Sequence, residues 1–165
     1  MLEALATVTR TLSRLFLVVA GAGLLVMTGI IGWQVFGRYV LNASPAWAEQ
    51  LALVLMIWFI TLAAAAGVRE GFHIRITVLE DNLAERGRKA LRLASHAIVG
   101  LIGAAMAVWG AELVQATWHH DIPTLSVPRG AAYLPLPLSG ALIVLFTVEN
   151  LVAEFLGRKV EPLWN

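Results

Sequence analysis

Residues 15–36 read Leu-Phe-Leu-Val-Val-Ala-Gly-Ala-Gly-Leu-Leu-Val-Met-Thr-Gly-Ile-Ile-Gly-Trp-Gln-Val-Phe, without one charged side chain. A helix of about 20 residues, rising 1.5 Å per residue, crosses the roughly 30 Å apolar core of a bilayer. This run has that length and no strand-like alternation. A chain in lipid must satisfy its own backbone, so the run reads as a membrane-spanning helix. Basic residues before an apolar run also open secretory signals, but this run is too long for a signal h-region. No clear A-x-A cleavage site follows it, so it is expected to be retained.

Three more runs of the same kind follow, over 47–68, 94–115 and 133–156. The whole composition agrees: 59% hydrophobic, 14% charged and a mean hydropathy of +0.77. An ordinary soluble domain is about 45–50% apolar and about 25% charged. The fold class is therefore an all-α integral membrane protein of four transmembrane helices, with residues 1–165 as one domain. The absence of cysteine excludes disulfides and thiolate metal sites. No phosphate-binding loop, nucleophile elbow, dinucleotide turn or zinc signature occurs, so no catalysis or nucleic-acid binding is expected.

Lys and Arg distribute unevenly around the four spans. Arg10, Arg14, Arg69, Arg75, Arg86, Arg88, Lys89, Arg92, Arg158 and Lys159 fall on one side; only Arg38 and Arg129 fall on the other. The positive-inside rule then places both termini in the cytoplasm, with residues 42–45 and 117–132 facing outward. Trp33, Trp47 and Trp118 stand where an outer aromatic belt would lie. The connection between the second and third spans is amphipathic. Ile76, Leu79 and Leu83 share one helical face, while Arg75, Glu80 and Asp81 lie elsewhere. It reads either as a helix lying in the inner interface or as a plain basic loop. Asn82 and Glu85 resemble a capping pair, from which a helix would continue through Arg92 into the third span.

Carboxylates inside spans are costly and often functional. Glu149 lies roughly 7 Å inward of the centre of the last span, where it either pairs with a base in the bundle or meets another subunit. Glu112 and Glu154 lie nearer helix ends. Arg38 and Glu49 flank the first outer turn, and an ion pair between them is expected to lock that hairpin. Pro45 is a natural start for the second helix, and Pro135 and Pro137 sit where the fourth tolerates proline. Gly100, Gly103, Ala104, Ala107, Gly110 and Ala111 form a small-residue stripe for close helix packing, within the chain or against another subunit. Trp47, Trp58, Gly100, Gly103, Ala107 and Glu149 are the candidate subunit interface. His73, His96, His119 and His120 do not face one another as haem ligands would. His119, His120 and Asp121 lack a third spaced ligand for a metal. No cofactor or metal is expected.

The stretch Trp33-Gln34-Val35-Phe36-Gly37-Arg38-Tyr39-Val40-Leu41-Asn42, then Pro45-Ala46-Trp47-Ala48-Glu49, resembles the first hairpin of the small membrane subunit of tripartite ATP-independent periplasmic (TRAP) transporters, the DctQ family. Gly67-Val68-Arg69-Glu70-Gly71-Phe72-His73-Ile74-Arg75-Ile76 is similar to that family's segment after the second helix. Pro123-Thr124-Leu125-Ser126-Val127-Pro128, with Tyr133-Leu134-Pro135-Leu136-Pro137-Leu138-Ser139-Gly140, resembles its approach to the fourth. Gln50 departs from the pattern, since the family commonly has a second acidic residue there. The resemblance implies a scaffold that braces a large multi-span subunit in the bacterial inner membrane. A periplasmic binding protein would deliver an organic acid, and an ion gradient would drive its uptake. It also implies that Asn42, Ser44, His119, His120, Asp121 and Arg129, on the outer loops, meet the binding protein. A membrane anchor of a redox enzyme is the competing reading. A small multidrug exporter fits less well, because the first span has no carboxylate.

Overall fold

A computed structural model describes residues 2–43, 45–71 and 84–156, with side chains from residue 7 onward. Helix α1 runs over Leu2–Tyr39, α2 over Ala46–Glu70 and α3 over Glu85–Thr117. A two-stranded antiparallel hairpin follows, β1 (Asp121–Ile122) against β2 (Val127–Pro128), with Ile122 opposite Val127. The last span is divided into α4 (Arg129–Tyr133) and α5 (Pro135–Phe155). Four stretches are long and apolar enough to cross a membrane: Thr7–Tyr39, Ala46–Glu70, Glu85–Thr117 and Arg129–Phe155. They contain the four runs expected from hydropathy, apart from Leu156 at the last boundary. The amphipathic residues Arg75 to Leu83 and the cap residue Asn82 lie outside the described residues. The helix expected to pass from Glu85 through Arg92 into the third span is α3.

The helices stand in an open row rather than around a common centre. α1 packs on α2, α2 on α5 and α5 on α3, whereas α1 barely touches α5 and meets α3 marginally at most. Burial follows that order: in the most apolar 18 residues of each span, 33% and 39% are buried for the two inner spans, against 6% and 11% for the flanking α1 and α3. Water would not tolerate such a layout, but lipid accepts apolar side chains on every face, so closing the ring brings no hydrophobic gain. Ala65, Val68, Ile143 and Phe146 make the centre of the row, with Leu12, Val99, Met106 and Leu142 packed on them.

Side-chain contacts set the registers. Gly23 meets Phe59 and Ser13 meets Glu70 between antiparallel α1 and α2. Gly103 meets Ile143, and Gly110 meets Pro137, between antiparallel α3 and α5. Both connecting turns, 40–45 and 118–128, therefore lie at one end of the row. The C-terminal end of α2 and the last residues of α5 lie at the other. At about 57 Å for its 38 residues, α1 is much longer than the bilayer core.

Candidate functional site

Polar chemistry concentrates at the two ends of the row. At the end opposite the turns, α2 finishes with Arg69 and Glu70 and is stopped by Gly71, whose φ of 70° is a left-handed conformation that suits glycine. These two charged residues are not solvated loop groups. The Arg69 side chain is 2% exposed and that of Glu70 is fully buried. Arg69 Nη1 lies 3.3 Å from Glu70 Oε1, and Arg69 Nε lies 3.4 Å from Glu149 Oε2 on α5. Ser13 of α1 donates its hydroxyl to Glu70 Oε1 at 2.7 Å. Asn150 Nδ2 donates to the carbonyl of Val68 at 3.3 Å. Arg69 and Glu70 each make further interactions beyond these.

Three helices are thus tied at one level by a guanidinium shared between two carboxylates. The Arg69–Glu149 contact is an ion pair by distance but is not aligned as a hydrogen bond, and neither Glu149 oxygen accepts one among the described residues. The attraction there is Coulombic, and it is strong because the surroundings are apolar. Within the chain, Glu149 is paired with a base, Arg69. Counting Arg69 with the basic loop residues misses its part in this pair. The signal for it is a carboxylate within a span, which needs a cation, and an arginine on the last turn of another span. Further along, Arg92 and Glu154 form a partly exposed pair at 3.7 Å.

The small residues of α3 are used inside the chain. A Cβ on Gly103 would meet Ile143 at 2.6 Å, one on Gly110 would meet the Pro137 backbone at 2.9 Å, and one on Gly100 would meet Thr147 at 3.1 Å. Gly140 of α5 presses on the backbone nitrogen of Ala107. Within the chain, Gly103 and Glu149 are buried, and the half-buried Gly100 and Ala107 face α5. Trp58 is also turned inward.

Pro135 explains the position of Trp58. In a continuous helix, residue 135 would donate its N–H to the carbonyl of Ala131, four residues back, but proline has no such donor. The freed Ala131 carbonyl instead accepts the indole N–H of Trp58 from α2 at 3.2 Å. The break between α4 and α5 is thereby stitched to the neighbouring helix. Beside it, a groove of about 320 Å³ is lined by Gln50, Leu53, Ile57, Ile122, Arg129 and Tyr133, among others.

The turn after α1 is closed by backbone rather than by charge. Val40 N–H donates to Phe36 O at 2.8 Å and Ala43 N–H to Gly37 O at 2.9 Å. Asn42 supplies a positive φ of 51°, which asparagine tolerates. A Cβ on Gly37 would meet Ala43 O at 2.8 Å, so only glycine admits this close approach. Arg38 and Glu49 flank the turn as expected, yet both are exposed and they are not among the ion pairs of the described residues. Among the described residues the expected lock is not formed, and the turn is closed instead by the backbone approach at Gly37. Trp47 is exposed. Asn42, His119, His120, Asp121 and Arg129 are exposed at this same end, while Ser44 lies outside the described residues. Among the described residues no group of three His, Cys, Asp or Glu is placed to hold a metal.

Known proteins are similar to this chain over much of its length. A sialic acid TRAP transporter small permease protein, SiaQ, of Vibrio cholerae is 27% identical over 134 residues, covering 79% of this chain and 78% of that protein. A C4-dicarboxylate TRAP transporter small permease protein, DctQ, of Rhodobacter capsulatus is 31% identical over 99 residues, covering 59% of this chain and 44% of that protein. The isethionate TRAP transporter permease protein DctMQ of Oleidesulfovibrio alaskensis is 28% identical over 142 residues, covering 81% of this chain but only 22% of that longer protein. The family model of the DctQ component of tripartite ATP-independent periplasmic transporters matches residues 27–157. That family is a transporter component and not an enzyme, and with four apolar helices this chain is a multi-pass inner-membrane protein. An open row of four helices, knotted by charge at one end and carrying this family's pattern along most of its length, belongs to the DctQ component of the TRAP transporters.

Proposed function

We propose that this chain is a scaffold that braces the large membrane subunit of a TRAP transporter and carries no transport site of its own. The observation behind this reading is the course of the helices through the row's middle. α1, α2 and α3 run unbroken, the one interruption lies at the α4–α5 boundary near the turns, and the charged groups sit toward the ends. A secondary transporter that binds its own substrate usually has broken helices and polar groups at the membrane midplane. The row offers flat apolar sides to a neighbour instead, and the ionic junction of Arg69, Glu70 and Glu149 keeps its helices in register.

In this reading the cargo is an organic acid handed over by a periplasmic binding protein and driven by an ion gradient. Similar small permease proteins are named for sialic acid, C4-dicarboxylates and ectoine. Such different cargoes fit a subunit that leaves specificity to its partners. Both termini face the cytoplasm, so the turns around Asn42 and around His119, His120, Asp121 and Arg129 face the binding protein. Trp47 lies at the same end, where it can touch the large subunit.

The test is co-purification in mild detergent from cells making the full permease. Recovery of the large subunit with this chain, together with loss of binding-protein-dependent uptake when this chain is deleted, is the expected result. Uptake that persists without it, or uptake by the chain alone in liposomes, refutes the scaffold role.

A further inference from the structure

The small-residue face of α3 packs on α5, which leaves another face of this helix to be explained. Ala97, Leu101, Ala104, Val108 and Glu112 recur at spacings of three and four and are all exposed. At about 100° per residue they lie roughly 120° around the helix from the glycines that meet α5. α3 is the last helix of the row, so no other described helix covers this side.

Glu112 does not suit a lipid-facing surface. It makes no hydrogen bond or ion pair among the described residues and is exposed between apolar neighbours. The contact of Gly110 with Pro137 sets the antiparallel register, which brings Glu112 level with Pro135. That is about 9 Å inside the span beginning at Arg129. Side chains on a helix lean toward its N-terminus, so this carboxylate leans away from the near end of α3 and deeper into the apolar stretch. A short glutamate cannot snorkel against that direction as a lysine would. Charges within spans are nearly always paired or turned to a partner. The described carboxylates toward the other end of the row, Glu85 aside, each have a cation close by: Glu70 and Glu149 share Arg69, and Glu154 has Arg92.

We propose that this outward face of α3 docks a transmembrane helix of the large permease subunit, and that an Arg or Lys on that helix pairs with Glu112. The proposal rests on the scaffold reading and adds to it the face and the charge. The kind of partner follows from the site. The depth of Glu112 demands a membrane-embedded cation, which a soluble binding protein does not supply. In the DctMQ relative, this chain's counterpart is a small part of one longer permease polypeptide.

Two measurements on the complete permease test it. In the first, a photo-reactive amino acid replaces Val108 on α3, and another replaces Leu25 on the far side of α1. Cross-linking of the large subunit from position 108 and not from 25 is expected. Adducts from 108 with lipid alone, or with a second copy of this chain, overturn the docking face. In the second, Glu112→Lys is expected to lower recovery of the large subunit about tenfold, while Glu112→Gln lowers it less. Restoration of Glu112→Lys by an acidic replacement of one basic residue in the large subunit identifies the partner cation. Unchanged recovery with Glu112→Lys sinks the pairing. If the unaltered chain recovers no large subunit at all, the scaffold reading itself fails, which is a separate outcome from a missing 108 cross-link.

Discussion

Replacing Arg69 by methionine removes a guanidinium and keeps a side chain of similar reach, so the loss isolates the charge. Arg69 lies 3.3 Å from one buried carboxylate and 3.4 Å from another. At an effective dielectric near 20, two unit charges 4 Å apart interact by about 4 kcal/mol. Forming such a cluster costs desolvation, which the fold has already met, so the pair as a whole adds little net stability. Breaking it is a different matter. The uncharged thioether would leave Glu70 and Glu149 buried without this cation. Loss of one partner from a buried pair costs about 3–5 kcal/mol. Ser13 continues to solvate Glu70, whereas the Glu149 oxygens have no hydrogen bond to fall back on among the described residues. The double variant Arg69→Met/Glu149→Gln should therefore recover more than about 1 kcal/mol of the loss, a coupling typical of residues in direct contact. The assay is SDS-induced unfolding in mixed micelles, followed by the fluorescence of the six tryptophans. A single variant within about 0.5 kcal/mol of the parent, the range of an ordinary surface change, would refute the junction as a structural tie. So would a double variant no more stable than Arg69→Met.

Three further outcomes follow from the packing and the topology. Gly140→Leu forces side-chain atoms into the α3 backbone at Ala107 and should cost about 1–3 kcal/mol in the same assay. Gly29→Leu, with nothing within 4 Å of its Cβ position, should leave the isolated chain unchanged. Trp58→Phe removes the indole bond to Ala131 and should cost about 1 kcal/mol. In a Pro135→Ala background, where residue 135 regains its own N–H, that cost should shrink, and an equal cost in both backgrounds would rule out the compensation. Because the chain has no cysteine, single cysteines report its orientation cleanly. Cysteine at Asn42 should react with an impermeant maleimide added outside intact cells, and cysteine at Arg86 should react only after lysis; the reverse pattern would invert the topology.

Composition and run length alone determined the class of this protein. Charge-free stretches such as Leu15–Phe36 have no stable place except within a bilayer, so the number of spans and their approximate limits were legible in the residues themselves. The helix-start residues were legible too: Pro45 stands immediately before α2 and Pro135 at the head of α5. Local sequence also carried the family pattern along most of the chain. What it did not carry was which way each helix faces. In water, an apolar stripe points to the core, but in lipid every face of a span is apolar and periodicity loses its meaning. The small residues of α3 therefore announced close packing without saying against what, and only the fold assigned them to α5. The same ambiguity concealed the partner of Glu149, since Arg69 is far away in sequence and borders a segment that reads as a basic loop. It also made an Arg38–Glu49 lock look natural, whereas both side chains are exposed and the turn is closed by backbone contacts at Gly37. The open row, the buried ionic junction and the uncovered carboxylate of Glu112 are tertiary facts: each depends on the rotation and register of helices packed against one another, and a bilayer leaves those free until side chains interlock.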